Sequence, residues 1–195
     1  MDTTRLAGFS DAVLAIIITI MVLELKIPHG VAPETLAPLL PVFLSYVLSF
    51  VYLGIYWGNH HYLLHFCRRV GGTVLWANLH LLFWLSLFPF VTGWMGQNHF
   101  APLPTAVYGG VLCAAAVAYL LLQQAIIVTQ GADTGLRTAI GGDWKGKVSL
   151  ALYLVGIAST FFKAWVGQLL FAAGAVLWLV PDRRLERSLP QPGVP

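Results

Sequence analysis

The sequence predicts an all-α membrane protein with six transmembrane helices per subunit. Three observations carry this. Hydrophobic residues make up 58% of the chain and charged residues only 10%, with a mean hydropathy of +0.77; a soluble domain is about 25% charged. The apolar residues fall in long runs, each close to the ~20 residues that a spanning helix needs. The basic residues cluster between those runs on alternate sides, as insertion in a fixed orientation requires. At 195 residues the chain leaves no room for a separate soluble domain. No short apolar region with a small-residue cleavage site precedes the first run, so that run is expected to be retained. Cys67 and Cys113 fall in or near apolar segments and are expected to be packing residues, not a disulfide. A formal charge of +3 is too small to suggest a nucleic-acid partner.

The first span runs over about 4–27, opened by Asp2, Thr3 and Thr4 as candidate caps and closed by Lys26 and Pro28. The second, about 36–66, has Pro38 and Pro41 in its first turns, where proline is best tolerated. At ~1.5 Å per residue it exceeds the ~30 Å hydrocarbon core and must tilt or protrude. The third, about 73–96, carries Pro89 as a kink. The fourth covers about 104–129, and a glycine-rich loop over 130–145 follows it. The fifth, about 147–162, and the sixth, about 165–181, form a tight hairpin around Lys163. Residues 1–183 thus form one membrane domain, and 184–195 a proline-rich cytoplasmic tail.

An even number of spans puts both termini on one side. Arg5, Arg68, Arg69, Arg137, Lys145, Lys147, Arg183, Arg184 and Arg187 share that side, nine of the eleven basic residues, leaving only Lys26 and Lys163 opposite. The positive-inside rule makes it the cytoplasmic side.

Asp11 lies within the first span, beside Ser10. A carboxylate inside a spanning helix faces protein or water and marks a functional site by default. Counted from the cytoplasmic ends of their helices, Asp11, His61, Asn78 and His80 sit roughly 9–17 Å deep at ~1.5 Å per residue. Ser10, Asn59, His60 and His65 join the same slab. Unpaired polar groups in hydrocarbon cost several kcal/mol each, so these groups are expected to meet, with Arg5 closing the cluster from the interface. Such a layer can lock helices together, can take part in gating, or can do both. His61 and His65, at i and i+4, also have a spacing suited to zinc, but no HExxH motif, cysteine ligand or dense carboxylate set accompanies them. No metal site is expected.

Beyond Asp11, the positions Ile16, Ile20, Leu23 and Ile27 recur at helical spacing, with Thr19 beside them. Several copies of this helix around an axis would form stacked apolar rings, a constriction able to gate by dewetting. Since nearly every residue here is apolar, the same stripe could equally meet lipid or neighbouring helices.

The chain has no TVGYG filter, Arg-rich voltage sensor, P-loop or GxSxG elbow, and Asp133, Asp143, Asp182 and Glu186 build no paired acid–base site in the membrane. No enzyme is expected. The pattern R-x-x-x-F-S-D at Arg5, Phe9, Ser10 and Asp11 is followed by a threonine eight residues after the aspartate. With YWGNHH around Trp57 and His61, and NLHLLFWLSLFPF in the third span, it resembles the transmembrane protein 175 family of potassium channels in its prokaryotic single-repeat form. The resemblance implies a homotetramer whose first helices line a central pore lacking a carbonyl filter. It implies a main constriction at Ile16, further rings at Ile20 and Leu23, and a hydroxyl layer at Thr19 that favours potassium over sodium. It implies that Arg5, Phe9, Ser10 and Asp11 hold the first three helices through Trp57 and His61; depth adds Asn78 and His80. Ala15 stands where some members carry a hydroxyl. The expected partners are potassium as permeant ion, further copies of the chain and the plasma membrane of a prokaryote, with no cofactor. Two other functions remain open: a proton-coupled secondary transporter using Asp11, and a non-conducting regulatory subunit.

Overall fold

The structure is a computed structural model, and it describes residues 2–130 and 143–179. The described residues form helices and no strand. Helix α1 covers Thr3–Met21, and Asp2 caps it by accepting from the Thr4 amide at 3.3 Å. The α-helix ends earlier than the hydropathy suggests. A 3₁₀ turn, Val22–Glu24, follows, and Leu25 is extended. Pro28, which disfavours helical angles at the residue before it, lies beyond that end. A second 3₁₀ segment, Pro33–Leu39, leads into α2, Leu40–His65, with Pro41 in its first turn.

The third span is two helices in series, α3 (Gly72–Ser86) and α4 (Phe88–Gln97). Pro89 has no N–H to give and sits in the first turn of α4, where that donor is not needed. Leu87 between them keeps right-handed helical angles, so the chain runs on without reversing. Helix α5, Pro102–Gln130, is unbroken over 29 residues. Asp143 caps α6, Trp144–Thr160, and a short turn at Lys163 returns the chain as α7, Ala164–Leu179. The segments Thr3–Glu24, Pro33–His65, Gly72–Gln97 and Pro102–Gln130 are long and apolar enough to cross a membrane. Helices α6 and α7 have 17 and 16 residues, about 24–26 Å at ~1.5 Å per residue. Most of the glycine-rich loop and the whole tail lie outside the described residues.

Helix α1 rests on α2, α3 and α4. Helix α5 takes α3 and α4 on one side and α6 on another, and the α6–α7 hairpin also reaches α2. The closest approaches are made at glycines. A Cβ on Gly96 of α4 would stand 2.6 Å from the Val42 Cα on α2. Gly109 and Gly156 leave the space that the fully buried Phe171 ring occupies between α5 and α6.

The α2–α3 connection is tied at both ends of the chain's N-terminal half. Thr3 Oγ1 of α1 donates to the Cys67 carbonyl at 2.8 Å. Gln130, the last residue of α5, accepts from the Arg68 and Arg69 amides at 3.1 and 3.2 Å and donates back to the Arg69 carbonyl at 2.7 Å. Cys67 is buried under this clasp, and burial pushes its thiol pKa up. The thiolate is the reactive form, so Cys67 reacts slowly in the folded protein.

Gly96→Ala places a methyl against the α2 backbone, which cannot move aside as a side-chain tip can. It is expected to cost about 1–3 kcal/mol, the usual cost of overpacking. Thermal unfolding in detergent should show a lowered midpoint, whereas Gly110→Ala, with nothing within 4 Å of the added atom, should leave it in place.

Candidate functional site

The first helix has two faces with different fates. Leu6, Ser10, Leu14, Ile17 and Met21, spaced by four, four, three and four, are buried against the rest of the subunit. The opposite side carries Phe9, Asp11, Ile16, Thr19, Ile20 and Leu23, all exposed. Ile16 is 57% exposed, Ile20 44% and Leu23 76%. The apolar stripe read from the sequence is therefore the face that α1 does not use within its own subunit. Ile27 lies beyond the helix, so it does not continue the stripe as the spacing suggests. Leu23 stands in the 3₁₀ turn, one step past the α-helix.

Thr19 donates its hydroxyl hydrogen back to the carbonyls of Ala15 and Ile16, both at 3.0 Å. Its oxygen lone pairs are thereby left facing outward from an exposed position. A hydroxyl so arranged offers an oxygen to a cation without presenting its hydrogen.

On the buried face, three helices meet through one amide. His60 Nε2 on α2 stands 2.7 Å from Asn78 Oδ1 on α3. Asn78 Nδ2 donates to Ser10 Oγ on α1 at 2.9 Å, and Ser10 Oγ donates to the Leu6 carbonyl at 2.9 Å. Asn78 Oδ1 only accepts, so His60 Nε2 carries the hydrogen. Every bond then runs in one direction, from α2 through α3 to α1. Ser10 and Asn78 are fully buried and His60 is 2% exposed, so the unit is complete within the subunit.

Asp11 stands apart from that chain. Its Oδ1 accepts from Trp57 Nε1 at 3.0 Å on the exposed side of the α1–α2 contact. His61 and His80 differ from expectation. His61 is exposed, its ring 6.0 Å from that of Tyr62 and 6.2 Å from that of His65, and it does not reach Ser10, Asp11 or Asn78. His80 is exposed and accepts from Trp84 Nε1 at 2.9 Å one turn along its own helix. Arg5 is exposed and makes no ion pair with Asp11. The cause is angular: neighbours in a helix differ by 100°, so groups at one depth need not share a face. His60 follows Ser49, Tyr52, Leu53 and Tyr56 on the buried side of α2, whereas His61 follows Trp57. That periodicity was the available signal for His60.

Near the other end of α1, Glu24 lies in the gap left by Gly93 on α4, and its Oε2 accepts from Gln97 Nε2 at 3.0 Å. Helix α1 is thus held by α3 in one half and by α4 in the other. Among the described residues, no group of three or more His, Cys, Asp or Glu side chains is placed to hold a metal ion.

A multi-pass bundle of apolar helices, with its first helix gripped on one face and bare on the other, defines the class: an integral membrane protein. The sequence profile described as "Endosomal/lysosomal potassium channel TMEM175" matches residues 5–89. A potassium channel of Chryseobacterium sp. (strain P1-3) is 50% identical over 189 residues, covering 97% of this chain and 98% of the relative. A potassium channel of Chamaesiphon minutus is 30% identical over 179 residues, covering 85% and 87%. The crystal structure of a lysosomal potassium-selective channel TMEM175 homolog from Chamaesiphon minutus superposes with a TM-score of 0.80 at 27% identity, covering 92% of this chain and 97% of that one. The chain belongs to the TMEM175 family of potassium channels. The family resemblance carried by Arg5, Phe9, Ser10 and Asp11 is borne out, and the relatives' named activity is not enzymatic.

Asn78→Leu leaves His60 and Ser10 without their partner in an apolar interior. It should lower stability by about 1–3 kcal/mol, the cost of unpaired buried groups. His80→Ala, which removes only an exposed bond within one helix, should stay within about 0.5 kcal/mol. Thermal unfolding of both variants in one detergent orders them.

Proposed function

We propose that the chain is the subunit of a homotetrameric, potassium-permeable cation channel, with six spans per subunit and the first helices around the central axis. The observation that carries this is the exposed stripe of Ile16, Ile20 and Leu23, on the side of α1 that its own subunit leaves bare. A symmetric axis gives that stripe a protein environment and makes it three stacked aliphatic rings. Helices α6 and α7 then span as a short hairpin, with tilt or local thinning of the bilayer absorbing the mismatch. Both termini lie in the cytoplasm and the membrane is the plasma membrane of a prokaryote; the bias of the basic residues towards one set of loops supports this orientation.

Selectivity in this arrangement does not come from backbone carbonyls. Ions shed part of their hydration at the aliphatic rings, which also close the path by dewetting when narrow. Thr19 supplies the compensating oxygen, for which its lone pairs are already oriented. Ala15, one turn towards the cytoplasm, adds no second hydroxyl layer, so preference over sodium rests on Thr19. The His60–Asn78–Ser10 link fixes the height and rotation of α1, and hence the ring diameter. Asp11 with Trp57 lies on the exposed side of the α1–α2 contact, where a neighbouring copy would dock. No cofactor or resident metal takes part. A transporter using Asp11 as its coupling carboxylate is less well supported, because that group is already held by the Trp57 indole.

The test is a planar bilayer with potassium on one side and sodium on the other. The purified protein should give unitary currents whose reversal shifts towards the potassium potential, and Thr19→Ala should shrink that shift. Ile16→Asn and Ile20→Asn should raise unitary conductance and blur selectivity. Unchanged currents in both isoleucine variants would remove those residues from the pore.

A further inference from the structure

Helices α2, α5, α6 and α7 line a cavity whose α2 wall is Tyr52, Ile55, Tyr56 and Asn59. It measures about 40 Å³ inside its open mouth; one water needs roughly 10–15 Å³ on this scale, so there is room for more. Aromatic rings dominate the wall: Tyr52, Tyr56, Tyr119, Tyr153 and Trp178, with Ala116 among the few small residues.

The polar atoms of this wall are nearly all engaged. Tyr52 donates to the Phe171 carbonyl, Tyr119 to the Asn59 carbonyl at 3.2 Å, and Trp178 to Ser149 Oγ at 2.7 Å. Tyr56 is not so engaged. It is 8% exposed, and its hydroxyl has no hydrogen-bond partner among the described residues. Edge-on contacts with Phe88 and Tyr119, at 6.5 and 6.3 Å between centroids, hold its ring. Buried tyrosine hydroxyls almost always find a partner, and one that lines a cavity finds it inside the cavity.

Charge at the site is already committed. Asp143 at the mouth accepts from the Gly146 amide at 3.2 Å as the cap of α6, and the Lys145 ammonium lies over the Trp178 ring at 5.8 Å. An ion entering this space would lose hydration and gain no uncommitted counter-charge. An apolar body with a single hydrogen-bonding group loses little and satisfies Tyr56.

We propose that this cavity is a binding site for a small uncharged alcohol of about two or three carbons, roughly what a space of this size admits, whose hydroxyl pairs with Tyr56 and whose apolar body lies among the aromatic rings. The site is one residue from Trp57 and one turn from His60, the two positions that tie α2 to the first helix. No α1 residue lines the cavity, so an occupant stays clear of the proposed ion path. Binding is separable from conduction, so the test reads binding and stands whether or not the pore assignment holds.

The probe is 2-fluoroethanol, followed by fluorine NMR on the protein in detergent micelles. The wild-type protein should show a saturable bound signal. Ala116→Leu fills the cavity and should weaken binding at least tenfold. Tyr56→Phe keeps the ring and its packing, guarding against a variant that fails to fold, and should weaken binding about three- to tenfold, the worth of one hydrogen bond. Absence of a saturable signal in the wild type would mean that the cavity holds water only and would overturn the proposal. Equal binding by all three proteins would place the probe elsewhere and overturn it too.

Discussion

One amide organises the subunit. In an apolar interior, a polar side chain restricts geometry far more than an apolar one, because leaving it unpaired costs more than any small shift in packing gains. Asn78 sits at that kind of point. Its oxygen is committed to α2 through His60 and its nitrogen to α1 through Ser10, so three helices share one height and one set of rotations. Leucines could pack these helices in several registers. The Asn78 side chain admits one. Elsewhere in the bundle, Gly96 and Gly109 let neighbouring helices approach closely.

The rotation of α1 is the quantity this constraint controls. With Ser10 turned inward, Leu14, Ile17 and Met21 must follow it into the core, and Ile16, Thr19 and Ile20 must face out. A turn of 100° would exchange Ser10 for Asp11 and put a carboxylate into the core. The FSD sequence therefore separates two neighbouring polar residues by role: the neutral serine is buried in the helix contact, and the charged aspartate remains at the surface with the Trp57 indole. Glu24 does the corresponding work at the far end, where the gap at Gly93 admits its side chain.

Much of this was legible in the sequence. Hydropathy alone separates the apolar segments, Pro89 marks the junction of α3 and α4, and the RxxxFSD pattern identifies the family. Depth counting correctly gathers Ser10 and Asn78. It fails for His61 and His80 because depth is one coordinate of a helix and azimuth is another. On α2, the buried face is marked by Ser45, Ser49, Tyr52 and Tyr56, a polar and aromatic series that continues to His60. The end of α1 was not legible for a different reason. Residues 22–27 remain apolar enough to continue a helix, and its termination depends on the local backbone at Leu25 and Pro28. The Tyr56 cavity could not be read at all, since it depends on four helices meeting.

The Gln130 clasp bears on how the protein is made. The amides of Arg68 and Arg69 find their acceptor on a residue about sixty positions later in the chain. A ribosome delivers α1, α2 and α3 to the membrane well before Gln130 emerges. Until then the Arg68 and Arg69 amides lack their native acceptor, although Thr3 can already hold the Cys67 carbonyl. Completion of the N-terminal half is thus tied to synthesis of the fourth long helix. Truncated chains ending before residue 130 would mark the last stage at which a quality-control protease still finds that loop open.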